Sequence, residues 1–280
     1  MGTVFINQLL VPLASHPDAL IVHPHAQRTG GGTLRNHVLA AAFGKERVYS
    51  RMFVKDYKPW RKLTDDDLRG FCAYTDLSDY RDLPLARQCL PVALLRYPVY
   101  RAVSLYHFVR RKHAHDLHDL AMSHSLEEFY RLGSSINPRY FRNVQTTRIC
   151  GHTDARMALD YILTRYLAVG FTSNLPEFAD MLSRLFGWSG VHVEGKTPDR
   201  ERYDTQITRT FRDMVLRENE EDLALFEAMS GGKPYSLPKL PVRREVARRA
   251  RRSRDRALAL ARGAERRLVR FGFRRGALRE

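Results

Sequence analysis

The segment Gln27 to Thr33 reads QRTGGGT, a set of residue types suited to an anion. It follows an apolar run and precedes a helical pattern, so unpaired backbone N–H groups and the positive end of a helix dipole would face an incoming phosphate or sulfate. Gly30, Gly31 and Gly32 let the backbone approach the oxygens, Arg28 supplies permanent charge, and the Thr29 and Thr33 hydroxyls add hydrogen-bond donors. A second basic segment, LLRYPVYRAVSLYHF from Leu94 to Phe108, puts Arg96 at the end of an apolar run and Ser104 along the helix that follows. Both can meet one phosphate.

Magnesium-dependent ATPase or kinase chemistry needs a Lys-Ser/Thr pair after the glycines and an acidic residue at a strand end. Here Gly32 is followed by Thr33-Leu34-Arg35, and the second apolar run ends in Arg96. Basic side chains would take the place of a metal ion, and no metal is expected. A proton acceptor within reach of the glycine loop has four candidates, His25, His23, Asp76 and Asp79. Of these, His25 directly precedes the loop, although a histidine on a buried strand is otherwise a packed core residue. His107, His113, His115 and His118 lie beside Arg110, Arg111 and Lys112, a context that reads as a solvated face rather than a metal site. Asn143 and Arg148 fall on a predicted helix and either line the cleft or pack at the surface. Cys72 has no histidine beside it in sequence and reads as structural.

The elements that position these residues alternate strand and helix, an α/β pattern. Strands are predicted at Ala19 to His23, Val48 to Val54 and Pro91 to Leu95, and helices at Leu34 to Phe43 and Val99 to Lys112, the latter opened by Pro98. The second half reads as mainly helical: Leu126 to Leu132, Arg139 to Cys150, Asp154 to Tyr166, Leu175 to Phe186 and Asp204 to Met229. Pro234 to Pro241 reads as a linker. The expected organisation is a catalytic domain over 1–240 and an appended segment over 241–280.

With 280 residues and 44% hydrophobic content, the chain can build one substantial core. Its charge is uneven. From Val242 to Glu280 there are fifteen arginines against four acids, so 11 of the formal +16 belongs to that segment. Ala250, Ala257, Ala264 and Phe271 share a register, with Val246 before them and Leu260 and Leu268 between them, the pattern of an amphipathic helix. Such a helix would lie on an anionic membrane, pair with another helix or bind an acidic polymer, unless it stays a solvated extension. The three cysteines, Cys72, Cys89 and Cys150, lack disulfide or zinc spacing. No basic leader precedes an apolar stretch, and no run approaches the roughly 18 apolar residues of a membrane span. The expected setting is the cytoplasm, with peripheral contact at the inner face of the membrane through 242–280.

The pattern Arg-x-Pro-x-x-Arg-x-x-Ser-x-Tyr, from Arg96 to Tyr106, together with HAQRTGGGT, from His25 to Thr33, resembles the PAPS-dependent carbohydrate sulfotransferases, particularly the branch with hexuronyl 2-O-sulfotransferases and bacterial relatives. PAPS is 3'-phosphoadenosine 5'-phosphosulfate. Weaker likenesses run through Asn143 to Gly151, Val169 to Trp188 and Glu218 to Met229. The resemblance implies a P-loop-like three-layer fold around a central parallel sheet. It further implies that Arg28, Thr29, Gly30, Gly31, Gly32 and Thr33 hold the phosphosulfate, while Arg96 and Ser104 hold the 3'-phosphate, with PAP as product. The implied reaction is metal-free, in-line sulfuryl transfer to a hydroxyl of a carbohydrate or glycolipid acceptor, and Arg28 and His25 are the catalytic candidates. Nucleic acid is not the expected partner. Three departures stand out: Arg28 replaces the family's loop lysine, Phe71 stands where a histidine base is expected, and QTTR is one residue longer than the usual QTR. Arg28, the missing histidine and the basic segment 242–280 motivate an alternative, a catalytically inactive nucleotide- or polyanion-binding protein of the same fold.

Overall fold

The computed structural model describes residues 4–16, 18–76, 88–194 and 203–231. Six strands form one sheet: β1 (Phe5–Ile6), β2 (Leu20–Pro24), β3 (Val48–Tyr49), β4 (Ala73–Asp76), β5 (Cys89–Leu95) and β6 (Ala168–Phe171), in the order β1-β6-β5-β2-β4-β3. The five strands β2 to β6 run parallel, while β1 pairs antiparallel with β6. The central sheet is therefore mixed, which corrects the expectation of a parallel one. Only the edge strand departs, because an edge accepts a partner of either direction without a crossover connection.

Strand residues alternate between two apolar layers, as the two-residue period of a strand requires. Leu20, Val22, Ala93, Leu95, Val169 and Phe171 face one core. It is closed by α6 (Val144–Cys150), α7 (Ala155–Arg165) and α10 (Glu220–Ser230). Ile21, Val92, Leu94 and Ala168 face the other core, against Leu34 and Val38 of α1 and Phe178 and Leu182 of α8 (Leu175–Phe186). Helix α1 is continuous but composite: α-helical Gly31–Thr33, π-helical Leu34–Leu39 and α-helical Ala40–Phe43. A third cluster joins α2 (Pro98–Arg110), α3 (His118–Ser123), α4 (Leu126–Ile136), α5 (Pro138–Phe141) and α9 (Arg209–Glu218).

Local chemistry sets several boundaries. Ser125 and Glu128 form a reciprocal capping box at the start of α4, Asp154 caps α7 and Thr208 caps α9. The expected strand Val48 to Val54 stops at Tyr49, because the Ser50 carbonyl takes the N–H groups of Phe53 and Val54 and turns the chain. Two expected helices are broken. The first, Arg139 to Cys150, divides at Asn143, which is left-handed at φ 45°, and the second, Asp204 to Met229, divides at Asn219. The two amides interlock: the Asn143 N–H donates to Asn219 Oδ1, and Asn219 Nδ2 donates to the Tyr130 hydroxyl. Side-chain amides that compete for backbone partners end helices in this way.

Among the described residues no helix is long and apolar enough to cross a membrane. The boundary near 240 and the basic helix of 242–280 lie outside the described residues.

Candidate anion site at the C-terminal ends of the strands

Parallel pairing places the ends of β2, β4, β5 and β6 along one edge of the sheet. That edge carries His25, Asp76, Arg96 and Thr172, and an open α/β sheet binds its ligands outside the carboxyl ends of its strands. The glycine loop leaves β2, which lies between β5 and β4.

The loop is held from three sides. Thr172 Oγ1 donates to the Thr29 carbonyl (2.7 Å) and to the Leu95 carbonyl (3.2 Å), stitching β6, the loop and β5 together. Arg96 Nη1 donates to the Arg28 carbonyl (2.8 Å), and Arg28 Nε donates to Ser104 Oγ (3.1 Å). The two basic segments, more than sixty residues apart in sequence, are thus one structure. Arg28 is left-handed at φ 68° and its guanidinium lies 4.6 Å from the Phe108 ring centre. A non-glycine residue in that region stores strain that the surroundings must hold.

Glycine is required twice. Gly30 has φ 98°, and a Cβ there would come within 2.8 Å of Leu175 Cδ1. A Cβ on Gly31 would lie 2.2 Å from His25 Cδ2 and 2.7 Å from His23 Cε1. Gly32, in contrast, has open space above it. Thr29 is fully buried and its hydroxyl donates to the Ala26 carbonyl (2.9 Å), so it braces the loop, and the Thr33 and Leu34 N–H groups close the first helical turn on the Gly30 carbonyl. Arg96 and Ser104 are buried, and the Arg96 guanidinium sits 5.7 Å from the Tyr203 ring centre.

The electrostatics are mainly positive, with Asp76 the carboxylate that acts on Arg35. His25 is lowered to about 3, first by burial and then by Arg35, Arg28 and Arg148. His23, completely buried and stacked on His25 at 5.3 Å, is also lowered, by burial, His25 and Arg35. Its Nδ1 pairs with Thr75 Oγ1 at 3.0 Å. Both imidazoles are neutral at physiological pH, and three guanidiniums converge where a helix begins. Asp76 is engaged laterally: Arg51 Nε lies 3.8 Å away, and the Tyr57 phenol, raised first by burial, is hydrogen-bonded to it. Asp79 lies outside the described residues.

The structure assigns other roles to several residues singled out in the sequence. Arg101 is fully buried and clamps the Tyr140 and Phe141 carbonyls (3.0 and 2.6 Å), while Tyr106 donates to the His124 carbonyl. Asn143 serves the helix break described above. His107 pairs with Gln206, and His118 with the Val109 carbonyl. Among the described residues no group of three His, Cys, Asp or Glu side chains is arranged for a metal. Sequence reasoning missed the roles of Arg35 and Thr172, and it singled out the QTTR element without assigning a role to its Gln145. A basic residue on the first turn of the helix after a glycine loop was the available signal for Arg35; Thr172 and Gln145 act through long-range contacts that no local pattern encodes.

Set against known proteins, the chain matches no protein-family model and no curated sequence.

Proposed function

We propose that the chain transfers a sulfuryl group from PAPS to a hydroxyl of a carbohydrate or glycolipid acceptor. The observation that carries this reading is the junction of two basic segments through Arg28: its side chain on Ser104, its carbonyl under Arg96. A donor with phosphates at both ends of a ribose needs two adjoining anion stations. The likeness of these segments to PAPS-dependent carbohydrate sulfotransferases supports the same reading. So does the strand order, with a glycine loop leaving the central strand, which favours a P-loop-like fold.

In this scheme the acceptor oxygen bonds to sulfur as the sulfur–oxygen bond to the 5'-phosphate breaks. The electron pair leaves on that phosphate oxygen, where Arg28 and the amides of Gly31 and Gly32 meet the developing charge. The acceptor proton passes to His25, the neutral imidazole beside the loop. Burial first, and then Arg35, Arg28 and Arg148, lower His25 to about 3. A bound phosphosulfate offsets the arginine part of that shift and raises the basicity of the ring, while the part due to burial stays. The catalytic unit comprises 1–240, and the arginine-rich segment 241–280 brings a cytoplasmic enzyme to the inner membrane face.

A non-catalytic nucleotide-binding role is the second reading, favoured by the low proton affinity of His25. Incubation with sulfur-labelled PAPS and a panel of polysaccharides and glycolipids separates the two. Labelled product formed in the presence of EDTA supports transfer; tight PAP binding without product from any acceptor favours the second reading.

A further inference from the structure

Arg96 stands at a corner between β5 and α2, where Pro98 contributes no N–H and helical hydrogen bonding has not begun. The backbone of that corner is held instead by a side chain. Gln145 Oε1 accepts the Arg96 N–H, and Gln145 Nε2 donates to the Arg96 carbonyl, both at 2.8 Å. The amide of Gln145 acts as a strand-like partner for a single residue. Gln145 is oriented in turn by Asp222 of α10, which is 1% exposed. One Asp222 oxygen accepts the Gln145 N–H (3.0 Å) and lies 3.4 Å from Gln145 Nε2; the other accepts the Thr146 N–H (2.8 Å) and hydroxyl (3.1 Å). A buried carboxylate thus sits at the start of α6, where the helix dipole favours it.

We propose that Gln145, oriented by Asp222, is a positioning residue of the anion site, fixing Arg96 against the Arg28 carbonyl. The proposal rests on the reading that Arg96 faces the donor's phosphate. It makes α10 part of the binding machinery although none of its atoms reaches the ligand. If Asp222 served only to cap α6 and balance the buried Arg101, its loss would lower stability without coupling to Arg96. A positioning role requires the two effects to be non-additive.

The deciding variant is Gln145→Met, which removes the bridge to Arg96 while leaving Asp222 its bonds to the backbone of residues 145 and 146. PAP affinity of this variant should fall about tenfold, and Gln145→Met combined with Arg96→Ala should bind no more weakly than Arg96→Ala alone. Asp222→Asn should show the same non-additivity; if it does not fold, Gln145→Met still decides. A folded Gln145→Met with wild-type affinity, or losses that add, overturns the proposal. Absence of PAP binding by the wild type would count against the sulfuryl-transfer reading instead. The crystal structure of Gln145→Met then tests positioning directly: Arg96 Nη1 displaced from the Arg28 carbonyl supports it, and an unmoved guanidinium overturns it.

Discussion

At one end of the parallel strands, Arg28, Arg35 and Arg148 converge on His25, and buried Arg96 and Ser104 adjoin them. At the opposite end, near the starts of β2, β4 and β5, an open cleft of about 420 Å³ is lined by His16, Asp18, Asp65, Asp66, Arg69 and Gln88. The charged side chains of this cleft are exposed, and the Arg69–Asp66 pair has both members more than four-fifths accessible. Exposed pairs of this kind contribute little and can be lost cheaply. Like charges brought together under partial burial are costly unless an anion joins them, so charge under strain marks the site better than volume does.

The largest difference between the two ends should appear in binding. Arg96→Ala removes a charge-assisted contact and a loop tether and should weaken PAP binding about 100-fold, whereas Arg69→Ala should leave it unchanged. An equal loss from both variants, read by calorimetry, would erase the distinction. Gly31→Ala should cost about 1–3 kcal/mol of stability, because its methyl would strike both imidazoles. Gly32→Ala, facing open space, should unfold at nearly the wild-type temperature.

A further effect concerns pH. His25 binds its proton at about 3 in the fold against 6.5 for the free side chain. The unfolded chain therefore takes up the proton first, and stability falls as pH drops through 6.5 and continues to fall toward 3. His25→Gln removes that contribution, so its stability relative to wild type should improve between pH 7 and pH 4. Denaturant titrations at the two pH values test this, and a parallel decline would show His25 to be unperturbed. The smallest effect is expected in the cleft: Asp66→Asn should change stability by less than about 0.5 kcal/mol.

These contrasts also explain what the sequence made legible. The glycine loop, β2, and the corner from β5 into α2 were readable because each is specified within a short window: apolar run, turn residues, helix start. β4 and β6 were not, since AYTD and AVGF are too short to show a period and become strands by pairing with β2 and β5. The breaks at Asn143 and Asn219 depend on each other across 76 residues. Among site residues, Arg28, Arg96 and Ser104 stood out by type and position, and the structure brings them together. Gln145 was visible as the start of QTTR, but its role was not legible because it lies in bonding to a backbone 49 residues away.

Calorimetric titration with PAP in the presence of EDTA, on wild type beside Arg96→Ala and Ser104→Ala, tests the central claim most directly. The account predicts tight binding by wild type that is lost in Arg96→Ala and weakened in Ser104→Ala. No binding by wild type, or binding indifferent to both substitutions, would contradict it.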